Sequence, residues 1–83
     1  MKLSRYLINA KPSWGYGDKL FLLASNIKEA RNFCKDFDGL KILKKLNGKL
    51  DIIIYSSIDD VMNAQKENLQ KGLANKTIEI VKE

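Results

Sequence analysis

The sequence predicts an α+β fold, a two-layer sandwich in the order ββα-ββα-β, with a mostly antiparallel sheet and two helices on one of its faces. Three observations lead there. Two segments with helical spacing of apolar residues open on capping boxes, one at Asn26 and one at Ser57. Each is preceded by a pair of strand-like apolar runs. Glycine, proline and asparagine fall between these runs, where a chain must turn. At 83 residues the chain is expected to be a single domain, 1–83. A chain this short buries only about 60–65% of its unfolded surface, so nearly every apolar side chain is needed in the core.

Leu3 to Ala10 reads as a strand, with Tyr6, Ile8 and Ala10 on one face and Arg5, Leu7 and Asn9 on the other. Lys11 to Asp18, punctuated by Pro12, Gly15 and Gly17, reads as a loop. Lys19 to Ala24 is almost continuously apolar, as in a strand covered on both faces. Asn26-x-x-Glu29 starts the first helix, whose stripe is Ile27, Ala30, Phe33, Cys34 and Phe37, with Gly39 as the C′ residue. Leu40 to Leu46 and Leu50 to Ser56 flank Asn47-Gly48, a hairpin signal. An odd-length loop with a bulge at Gly48 would gather Leu40, Ile42, Leu50, Ile52 and Ile54 on one buried face. Lys41, Leu43, Lys45, Asp51, Ile53 and Tyr55 would then share the outer face. Ser57-x-x-Asp60 opens the second helix, with a stripe of Ile58, Val61, Met62, Leu69 and Leu73 interrupted by Gln65, and Gly72 or Asn75 at its end. Thr77 to Val81 is a last short strand.

Composition narrows the chemistry. No histidine is present, which removes the commonest general base and metal ligand. A single cysteine, Cys34, can form neither an internal disulfide nor a Cys/His zinc pattern, and its apolar stripe makes it a core residue. No phosphate-binding loop occurs, and Gly15-x-Gly17 lacks the third glycine and following helix of a dinucleotide site. The carboxylate pairs Asp36/Asp38 and Asp59/Asp60 sit at helix ends, where solvation or capping accounts for them. The expectation is a non-enzyme with no catalytic residue, no metal and no small-molecule cofactor. No apolar run reaches the roughly 18 residues of a membrane span, and the first residues lack a signal-peptide core. A reducing cytoplasm is therefore expected.

The net charge is +5, unevenly spread. Residues 1–25 and 40–57 each carry +3, whereas residues 26–39 sum to zero. Two features could use this charge. One is the loop holding Trp14 and Tyr16 between glycines, with Lys11 beside it: aromatics next to cations suit base stacking or a protein hot spot. The plainer reading folds Trp14 back over the end of a small core. The other is the lysine cluster Lys41, Lys44, Lys45 and Lys49, which with Arg5 and Tyr55 could track a phosphate backbone. The plainer reading is a strand kept soluble and unpaired by lysine.

The chain has no RNP-type aromatic motif, no GXXG loop and no helix-turn-helix spacing. Its expected role is a small binding domain for nucleic acid or an acidic or nucleoprotein partner. The alternative is a protein-interaction module, an inhibitor or adaptor anchored by Trp14 and Tyr16, of the kind a phage or mobile element encodes. A homodimer is compatible with either. A third reading has Leu3 to Ala10 or Thr77 to Val81 add an edge strand to a partner's sheet.

Overall fold

A computed structural model of the chain describes residues 1–14 and 19–82. The elements are β1 (Lys2–Ile8), β2 (Ala10–Pro12), β3 (Phe21–Ala24), α1 (Ile27–Cys34), β4 (Ile42–Asp51), α2 (Ile58–Ala74) and β5 (Ile78–Ile80). The fold is α+β, and all strand pairings are antiparallel. They build two sheets, one ordered β3-β1-β4 and a smaller one of β2 and β5.

Alternation along β1 sets the layers. Tyr6 and Ile8 point toward the helices, joined by their cross-strand neighbours Leu22 and Ile42. Ala30, Phe33 and Cys34 of α1 and Leu69 of α2 close the same core, with Met62 and Leu73 packed at its margin. Leu3 and Leu7 point to the opposite face and are buried there too. On the helix side, Ser4 Oγ and the Tyr6 hydroxyl are buried without a hydrogen-bond partner among the described residues.

Both helices begin as their capping residues dictate. The Asn26 side chain accepts from Glu29 N at 2.9 Å, and Glu29 reaches back to Ser25 N at 3.2 Å. Ser57 Oγ accepts from Asp60 N at 3.1 Å, while the Asp60 carboxylate accepts from the Ser56 hydroxyl. α1 ends at Cys34, earlier than its stripe suggests, and Phe37 packs from the following turn with its ring 5.3 Å from that of Phe33. α2 ends at the C-cap Asn75; Gly72 lies inside its last turn.

Two expectations are corrected. The segment Leu3 to Ala10 is not one strand, because the chain changes sheets at Asn9, and β1 is the central strand rather than an edge. Asn47-Gly48 does not close a hairpin: β4 runs straight through it. From Ser4 to Tyr6 the register on β4 jumps from Lys49 to Lys45, so the surplus residues, Gly48 with φ 85° among them, bulge opposite Arg5. Pairing with β1 on both sides of the bulge outweighs the local turn preference. The shift also changes which side chains share a face. Lys49 and Lys45 pair with Ser4 and Tyr6, whereas Leu50 lies opposite Leu3. Beyond Asp51 the chain is a connector, and Ile54, expected on the buried face, is 82% exposed, like its neighbour Ile53 at 89%.

Candidate functional site

A concavity lined by five cationic side chains lies between α1 and β4 and holds about 530 Å³. Arg31 and Lys35 form the helix wall; they are four residues apart and so share one face. Both sit at the C-terminal end of α1, where the helix dipole favours cations. Lys41, Lys44 and Lys45 form the strand wall. Lys45 is paired with Tyr6 and Lys44 with Leu7, so the two flank the strand on opposite sides. An irregularity at the end of this pairing leaves Leu43 between Lys44 and Ile42, and the groove wraps around the free edge of β4. The floor is aliphatic, from Ile27, Leu40 and Ile42, with the Cys34 thiol among them. Burial pushes that thiol above its ordinary pKa.

Among the described residues no acidic side chain lines the groove. Among the described residues Arg31, Lys35, Lys44 and Lys45 make no ion pair, unlike cations elsewhere. Lys11 lies 4.0 Å from Glu79, Lys66 is 3.1 Å from Asp36, and Lys71 is 2.8 Å from Glu67.

The groove brings together Lys41, Lys44 and Lys45 of the residues singled out from the sequence. Lys49 lies farther along β4, in a shallow depression shared with Lys45 and the Asn47-Gly48 bulge. Arg5 is exposed opposite that bulge, on the side of β1 that carries Leu3 and Leu7. Tyr55 is half-buried in the connector before α2 and does not line the groove. Trp14 is 60% exposed just after β2, and no groove residue comes from β2 or β5. Tyr16 lies outside the described residues. Arg31 and Lys35 were missed by summing charge along the segment. Their spacing of four residues was the signal that could have found them.

No family model, curated protein or solved structure matches the chain. The site is therefore read from its own chemistry. Among the described residues no group of three or more Cys, Asp or Glu is arranged to hold a metal ion. No described helix is long and apolar enough to cross a membrane. What the groove offers is positive charge along α1 and around the free edge of β4, beside aliphatic side chains, an arrangement that attracts an elongated anion.

Proposed function

We propose that this chain is a non-catalytic binding domain for nucleic acid, free or within a nucleoprotein, which seats phosphates in the α1–β4 groove. The observation that carries the reading is the set Arg31, Lys35, Lys44 and Lys45: four cations around one concavity, with no acid lining it and no ion pair among the described residues. Unneutralised cations of this kind release condensed counterions when they meet phosphates, which makes affinity fall steeply with salt. The lone buried cysteine suits a reducing, intracellular setting.

The deciding test is a mobility shift with short single- and double-stranded DNA and RNA, repeated at about 50 and about 200 mM salt. Binding that weakens with salt, and that falls at least tenfold in the charge-reversed Lys44→Glu/Lys45→Glu variant, supports the reading, since each reversal replaces attraction by repulsion. Salt-insensitive binding would sink it.

A second reading, as a protein-interaction module, is favoured by Trp14, which presents an exposed indole away from the groove. There Trp14→Ala should abolish association with the protein partner, while single lysine changes mainly slow it. Emission from the single tryptophan separates the two, because nucleic acid confined to the groove leaves it unchanged.

A further inference from the structure

The side chains lining the α1–β4 groove are of two kinds. The polar ones are all cationic, and the others are aliphatic apart from the Cys34 thiol. No aromatic ring, amide or hydroxyl side chain is among them. Reading a base requires either a ring to stack on or a side chain that matches the donors and acceptors of a base edge. Arg31 is the one forked donor present; the lysines are point charges on flexible stems, which hold a phosphate without imposing a pattern. Arg31 and Lys35 are one helical turn apart, about 6 Å along the axis, close to the separation of successive phosphates on an extended strand. The aliphatic floor gives a sugar a surface to lie on and specifies no base.

We propose that the groove recognises a linear run of phosphates by charge alone and is blind to the bases they carry. This inference deepens the nucleic-acid reading and rests on the same groove. Its ligand class is a flexible polyphosphate or phosphodiester chain, and the bases of a bound strand point away from the protein. If Arg31, Lys35, Lys44 and Lys45 all engage phosphates of a single strand, log affinity should fall against log salt with a slope of about −3.

The test uses the full chain and a labelled single-stranded DNA followed by anisotropy. The competitors are two unlabelled DNA strands of different base composition, the same strand with neutral methylphosphonate linkages, and long-chain inorganic polyphosphate. The two sequences should compete with affinities within about fivefold of one another, the least that a single read base would impose. The methylphosphonate strand should fail, and polyphosphate should displace the label. The Lys35→Gln/Lys44→Gln variant, altered only at exposed positions, should weaken DNA and polyphosphate by the same factor.

A preference between sequences well beyond fivefold would overturn base-blindness and leave nucleic-acid binding standing. Failure of polyphosphate to displace bound DNA would overturn the inference in the same way, as would unchanged affinity in the double variant. Direct binding of polyphosphate with none of DNA or RNA would support the phosphate track and overturn the nucleic-acid reading instead. Binding of none of these polyanions would overturn both.

Discussion

At Asn9 the chain leaves one sheet for the other, and the residue's side chain fastens the three segments that meet there. Its Nδ2 donates to Gly39 O and Val81 O, each at 2.8 Å, and its Oδ1 accepts from Lys41 N at 2.8 Å. Its own backbone bonds to Lys41 O and from Val81 N. At 4% exposure such an amide is tolerable because all its donors and acceptors are matched. Asn9→Leu keeps the branched outline of the side chain but removes the partners of three partly buried backbone groups, so a loss of about 1–3 kcal/mol is expected in urea unfolding. Alternation placed Asn9 on the outer side of a strand. No periodicity can show that a strand is about to change sheets, because that depends on Val81, far away in sequence. Capping residues, in contrast, are legible locally, and Asp60 has a measurable signature. The hydrogen bond from Ser56, then that from Ser57, holds its carboxyl below the ordinary aspartate range. A folded pKa lowered in this way contributes stability that is complete above about pH 4, the unfolded value, and is lost as pH falls through the folded one. The stability difference between the wild type and Ser56→Ala should therefore shrink on acidification below that point. A difference that stays constant down to the acid transition would refute this assignment.

The elements were legible wherever a local signal met no competitor. Both helices start at the residues their capping boxes mark, since a side-chain acceptor for the first-turn N–H groups acts over three residues. Asn47-Gly48 reads as a hairpin with a bulge at Gly48; the bulge is present and the hairpin is not. A hairpin there would have broken the β1–β4 pairing, which extends from Lys2↔Asp51 to Ile8↔Ile42. Gln65, which interrupts the apolar stripe of α2, lies in this helix to serve a strand. Its amide accepts from Leu23 N at 2.6 Å and donates to Leu23 O at 2.9 Å, as a neighbouring strand would. Gly72 has a packing role at the far end of the same helix. A Cβ at position 72 would stand 2.6 Å from Ile78 Cγ1 and 3.1 Å from its Cβ, so β5 can lie against α2 only over a bare backbone. Gly72→Ala should consequently destabilise the fold by about 1–3 kcal/mol despite alanine's better helix propensity, measured by thermal or urea unfolding. A stabilised variant would mean that β5 can shift without cost.

Across the whole molecule, charge is governed by which ions meet rather than by local sums. The segment 26–39 is neutral on paper. Two of its three acids are engaged elsewhere: Glu29 accepts from Ser25, and Asp36 pairs with Lys66 of α2. Arg31 and Lys35 are left to face β4, which no count along the sequence reveals. The lysines of β4 were legible because they cluster within one strand, and half of the groove could be foreseen for that reason. Arg31→Gln with Lys35→Gln should flatten the salt dependence of single-stranded DNA binding by about 1.4 in slope, about 0.7 for each lost phosphate contact. Lys11→Gln, on β2 beside Glu79, should leave it unchanged; salt titrations of the two variants in parallel check both. The amide that occupies the outward groups of Leu23 has its own consequence for assembly. A sheet lengthens indefinitely only if each arriving molecule brings two receptive margins, one to dock and one to accept the next. With a four-residue β3 covered at its centre by Gln65, the three-stranded sheet has one such margin, along β4. Joining along β4 would therefore end with a second molecule, so growth through this sheet would stop at a pair.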